Sequence, residues 1–137
     1  FVVYLSWHQR WLVELVGRDN FGAGVDPGNY LHYGHQNAVE ACDDLASVAK
    51  MARAGDVART PVAAVKTAFA ETGAFQPWHA APFGEGLIDQ EACYRSLKAS
   101  GFDGVVSLKT AGSSPDGPLA AVRTSWAALT TLLRRIG

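Results

Sequence analysis

The sequence has little of what marks a special compartment or an obvious chemistry. Its 137 residues hold two cysteines, Cys42 and Cys93, too few for the disulfide framework of a small secreted domain. Both fall on apolar faces of expected helices, where a buried free thiol is the ordinary state. No apolar run approaches the roughly 20 residues needed to span a bilayer, and the N-terminus has neither the basic start nor the small-residue cleavage site of a signal peptide. Charge is sparse and balanced, 12 basic against 13 acidic residues for a formal net charge of -1. The basic residues are scattered, so neither nucleic acid nor an anionic membrane is an expected partner. A cytoplasmic protein fits these absences. There is no internal repeat, and the glycines of Gly22 to Gly28 lack the spacing of a nucleotide-binding loop.

What the sequence does have is one readable unit, Pro82 to Gly112. Asp89 stands where a helix N-cap belongs, Ala92, Cys93 and Leu97 share one apolar face, and Gly101 follows in the place of a left-handed C′ residue. The spacing predicts a helix from Gln90 to Ser100. Val105 to Leu108 is then a short run apolar at nearly every position, as in a parallel strand covered on both faces. Polar residues, Lys109 and Thr110, follow at once.

Upstream, Ser6 with Gln9 forms a capping box for a helix whose stripe is Trp7, Trp11 and Leu15, expected to be core, ending at Gly17. Phe21 to Val25 reads as a strand that Pro27 forbids from continuing. Asn37 with Glu40 caps a long helix, with Val39, Cys42, Leu45, Ala49 and Ala52 inward, running to just before Gly55. Val62 to Val65 reads as the second strand. The long stretch between it and Asp89, with Phe75, Trp78, His79 and Phe83, is expected to be a loop covering a site. Leu119, Val122, Trp126, Leu129, Leu133 and Ile136 make a last amphipathic helix with Arg134 and Arg135 at its negative end. Helices and strands thus alternate, which implies parallel strands near 21–25, 62–66 and 104–108 with four helices. Parallel strands present their C-terminal ends on one rim, where such folds bind ligands, and Asp26, Lys66 and Lys109 stand there.

PFGEGLID, a helix, and then GFDGVVSLK resemble the end of the xylose isomerase-like TIM-barrel family of sugar phosphate isomerases and epimerases. The resemblance implies an α/β fold, the C-terminal part of a (β/α)8 barrel, with residues 1–137 forming its last three β/α units. A closed barrel takes about 250 residues, so the chain is expected to be a fragment with two open sheet edges and a tendency to self-associate. The family's function is proton transfer on a sugar or related polyol or keto compound, assisted by a divalent metal such as Mn, Mg, Zn or Co.

Carried over residue by residue, VDPGN makes Asp26 the sixth-strand metal ligand. It is the one ligand position that survives. The seventh-strand motif HxKD falls on Ala64-Val65-Lys66-Thr67, which keeps the lysine but lacks the histidine and the aspartate, and Lys109 occupies the eighth-strand glutamate position. One carboxylate beside two ammonium groups repels a hard dication, so no cofactor is expected in this chain, and Asp26 is expected to be ion-paired to Lys109 instead. Lys66 and Lys109 are the candidate catalytic groups. Asn29, Trp78, His79 and Glu85 are the candidate contacts to a sugar or sugar phosphate. His8, His32 and His35 read as surface or packing residues. The alternative to an enzyme is a diverged, non-catalytic relative that binds sugar or phosphate or completes a fold.

Overall fold

A computed structural model describes residues 3–109 and 116–137; Thr110 lies outside them. In chain order the elements are α1 (Ser6–Val16), β1 (Ala23–Val25), α2 (Pro27–Gly34), α3 (Ala38–Leu45), a 3₁₀ turn (Ala46–Val48), β2 (Ala49–Ala54), β3 (Asp56–Arg59), α4 (Val62–Thr72), β4 (Trp78–Ala81), α5 (Gln90–Ala99), β5 (Val105–Leu108) and α6 (Pro118–Ile136). Strands β1, β2 and β5 form a parallel sheet in that order, and β3 pairs antiparallel with β4 in a separate ribbon. The expected α/β architecture with three parallel strands is therefore present.

The middle strand is not where the sequence placed it. The residues 49–54 are β2, and Val62–Thr72, which contains the expected strand 62–66, is helix α4. Ala-Lys-Met-Ala-Arg-Ala is made of strong helix formers, so local propensity continued α3 through it. Pairing with β1 and β5 on both sides overrides that propensity. Four apolar residues, Val62 to Val65, do not distinguish strand from helix. The long loop before Asp89 is in fact partly structured, with α4 at one end and β4 in its middle.

Several local signals act as read. Asn37 accepts from the Val39 and Glu40 amides at the start of α3, and Asp89 accepts from Ala92 N at the start of α5. Gly101 is left-handed, with φ 79°, and its amide bonds Lys98 O. Ser6 acts differently from a capping box. It exchanges two hydrogen bonds with the side chain of Gln36, Ser6 N to Oε1 at 3.0 Å and Nε2 to Ser6 Oγ at 2.7 Å, so the start of α1 is tied to the segment after α2.

Register decides which side of the sheet is core. Val25, Ala52 and Val106 lie in one row and pack on Ala41, Cys42 and Leu45 of α3 and Cys93 and Leu97 of α5. Both thiols are buried and free. The Cys42 thiol is pushed well above its ordinary range by its hydrogen bond with Cys93 and then by burial. The opposite row, Gly24, Met51 and Val105, is exposed. The stripe of α1 is exposed too, Trp7 at 58%, Trp11 at 61% and Leu15 at 68%, which corrects the expectation that it is core. On α6 the buried face is Ala121, Ser125, Leu129 and Leu132, while Leu119 and Trp126 face out. Among the described residues no helix is long and apolar enough to cross a membrane.

Candidate functional site

The open side of the sheet carries the site. Alternation from buried Val25 turns Asp26 to the open side, where it meets Arg53 of β2, which is paired with Ser107, and Lys109, two residues past Ser107. Asp26 is also the N-cap of α2: its Oδ1 accepts from Asn29 N at 3.1 Å, and Pro27 occupies the first helical turn. One turn of chain thus fixes the carboxylate at the strand end and brings the Asn29 side chain beside it.

Lys109 closes the cluster. Its Nζ donates to Asp26 Oδ2 at 3.0 Å and to Asn29 Oδ1 at 2.6 Å, and its backbone amide bonds Ala54 O at 2.9 Å, which holds the base of the side chain against β2. Arg53 Nη1 stands 3.8 Å from the same Asp26 oxygen. The Asp26 side chain is only 5% exposed and that of Lys109 32%. The expected Asp26–Lys109 ion pair is present, with a second cation that the sequence reading did not assign.

Beside the pair lies a cleft of about 100 Å³ lined by Asn29, His32, Gly55, Asp56 and Lys109 among others. His32 has its pKa lowered, first by burial and then by the charges of Lys109 and His35. Asp56 is buried and serves the fold: Oδ1 accepts from Val57 N and Ile88 N, and Oδ2 from Gly84 N and Gly86 N. Gln90 Nε2 adds a bond to Gly55 O. The loop containing Glu85 is therefore held by a carboxylate at the end of the sheet and not by Glu85, which is exposed.

The other candidate residues lie apart from the cluster. Lys66 is exposed on α4, not at a strand end, which removes it from the rim. Together with Trp78 it lines a separate, mainly apolar groove that also contains Phe75 and Pro77. Trp78 stacks under Arg59 and donates from Nε1 to His35 Nδ1 at 3.3 Å, and His79 Nδ1 stands 3.4 Å from Thr60 Oγ1. Relocating the middle strand also relocates its C-terminal end, which is Arg53-Ala54 of β2, followed by Gly55 and then Asp56 at the start of β3.

A divalent metal does not suit this donor set. Both oxygens of Asp26 are engaged, and the neighbouring strand ends bring an ammonium and a guanidinium where oxygen or imidazole ligands would be needed. Among the described residues no group of three or more His, Cys, Asp or Glu side chains could hold a metal.

Comparison with solved structures gives the same architecture repeatedly. A xylose isomerase domain protein from Planctomyces limnophilus superposes with a TM-score of 0.71 at 24% identity, covering 96% of this chain and 42% of that one. A xylose isomerase-like TIM barrel protein from Mycobacterium smegmatis, in complex with magnesium, gives 0.70 at 17%, over 97% and 41%. An L-ribulose 3-epimerase gives 0.66 at 13%, over 98% and 43%. At such identities these likenesses establish the fold, and the chain spans less than half the length of each. No curated protein matches the sequence significantly. The sequence itself matches the family described as xylose isomerase-like TIM barrel over residues 2–132. That match, with parallel strands whose rim gathers Asp26, Arg53 and Lys109, establishes that the chain belongs to the xylose isomerase-like TIM barrel family.

Proposed function

We propose that this chain supplies the carbohydrate-binding rim of a xylose isomerase-like barrel without holding a divalent metal, and so acts as a binding relative of the isomerases and epimerases. The observation that carries the reading is Lys109 Nζ, 3.0 Å from Asp26 Oδ2 and 2.6 Å from Asn29 Oδ1. An ammonium there satisfies the carboxylate and occupies the space where a cation would sit. The ligand class is a sugar or sugar phosphate, by kinship with the family.

The similarity to an L-ribulose 3-epimerase favours a second reading, proton transfer next to the carbonyl of a sugar or keto compound. On this rim the bases at hand are Lys109, two of whose three N–H groups are committed to Asp26 and Asn29, and His32, which lines the same cleft but has no carboxylate partner to orient it among the hydrogen bonds of the described residues. Lys66 lies on α4, away from the cluster, so the binding reading is the better supported.

Thermal melts of the chain with manganese, and with a panel of aldoses, ketoses and their phosphates, test the proposal. A sugar or sugar phosphate is expected to raise the melting temperature, and manganese to leave it unchanged. If manganese raises it and Asp26→Asn abolishes the rise, the chain holds a metal and the reading is wrong.

A further inference from the structure

From the donors and acceptors around the cleft, we infer that it is a site for a small oxyanion, a carboxylate or phosphate group, gripped by Lys109 and the side-chain amide of Asn29. The inference rests on the metal-free reading above and goes further by naming the chemical class that the site selects.

The first step is a count of acceptors. Two carboxylates border the cleft region, and each of their four oxygens accepts at least one hydrogen bond from the protein. Asp56 spends both on backbone amides of residues 57, 84, 86 and 88. Asp26 spends Oδ1 on Asn29 N and Oδ2 on Lys109, with Arg53 3.8 Å away. The Asn29 carbonyl oxygen is taken by Lys109 as well. The acceptor oxygens nearest the ammonium are therefore each already engaged by a donor of the protein.

Donors are in surplus. An ammonium has three N–H groups, and two of those on Lys109 are used. With its oxygen turned to Lys109, Asn29 directs its amide Nδ2 elsewhere, and no described residue accepts from it. Both side chains line the cleft, with His32 beside them. Charge-assisted bonds from such donors to an anionic oxygen are the strong kind, and the fixed Asp26–Lys109–Asn29 triangle leaves little to reorganise on binding.

Size completes the argument. At about 100 Å³ the cleft is well below the roughly 300 Å³ at which small-molecule pockets begin. It takes a head group and leaves the rest of a ligand on the open rim. Gly28 and Gly55 line it without side chains to fill it. A Cβ at Gly28 would stand 3.5 Å from Gly55 and from the Asp26 carboxylate.

Amide chemical shifts of the ¹⁵N-labelled chain, titrated with glycerate, inorganic phosphate and glycerol, provide the test. Glycerate or phosphate is expected to shift the amides of residues 28, 29, 55 and 109 saturably, and glycerol to leave them unmoved. Response to glycerate alone assigns the site to carboxylates, and response to phosphate alone to phosphates. Lys109→Met is expected to weaken the binding at least about tenfold, and Asn29→Ala provides the same comparison should the lysine variant fail to fold. Equal shifts with glycerol and glycerate, or none with either anion, overturn the inference while the metal-free reading stands. Manganese broadening these amides in the wild type and not in Asp26→Asn would overturn that reading instead.

Discussion

Replacing Lys109 by methionine removes the ammonium and keeps most of the side-chain volume, so its cost measures how far the rim depends on the charge pair. Breaking a fully desolvated pair costs about 3 to 5 kcal/mol, and losing an exposed one about 0 to 1. This pair lies between those limits, because Asp26 is 5% exposed but Lys109 32%. Asp26 would keep its bond from Asn29 N, and Arg53, now 3.8 Å away, is free to close on it. The expected destabilisation is therefore about 2 kcal/mol, more than a tenfold change in the folding equilibrium. Urea denaturation reads it as a lower midpoint with an unchanged slope. Lys66→Met is the control, since Lys66 is exposed on α4 without an ion-pair partner among the described residues, and its loss should fall within about 0.5 kcal/mol of zero. Asp26→Asn with Lys109→Met should cost less than the sum of the single changes, because the two share one interaction. If Lys109→Met is indistinguishable from Lys66→Met, the pair is a surface contact and the enclosed rim is a wrong description.

Three other outcomes are expected. A Cβ at Gly86 would lie inside contact distance of Asp56 Oδ1 and of Val57 O, so Gly86→Ala should lower stability by about 2 kcal/mol or more, whereas Gly101→Ala, with open space and only a left-handed φ of 79° to accommodate, should cost about 1; equal losses would contradict this. Because the folded-state pKa of His32 is lowered from 6.5, the unfolded chain binds more protons below that pH. Stability should therefore be complete above pH 6.5 and fall as the pH drops through 6.5 toward the folded value, with a shallower fall in His32→Gln by urea titration. Exposed Trp7, Trp11 and Leu15 should make the chain associate with rising concentration, and Trp11→Glu should reduce it; a single monomer boundary at every concentration in sedimentation velocity would count against that.

The legible parts of the fold were those with local punctuation. Asn37, Asp89 and Gly101 signal helix ends through their own hydrogen bonds and φ, and Val105 to Leu108 can hardly be anything but a strand. The middle strand was not legible because Ala, Lys, Met and Arg prefer helix, and only its two sheet neighbours make residues 49–54 extended. That one error carried Lys66 onto the rim and hid Arg53. The Asp26–Lys109 pair survived it, because strand parity on β1 and β5 is enough to point both side chains to the same side. Burial of Trp7 and Trp11 was misjudged for a different reason: helical periodicity shows that a face is apolar but not what covers it.

Asp56 gathers its backbone bonds from the alternating amides of residues 84, 86 and 88. The path of that loop is consequently written outside the loop itself, in a residue at the beginning of β3. Glu85 and Leu87, on the intervening positions, contribute only backbone amides, bonded to Pro82 O and Val57 O, and their side chains are exposed, so those side chains are free to be exchanged without moving the backbone. Hydrogen exchange should show this directly, with slow amides at 84, 86, 87 and 88 inside a segment that has no regular secondary structure. A loop anchored in this way can change the side chains it presents at two positions while its shape stays constant.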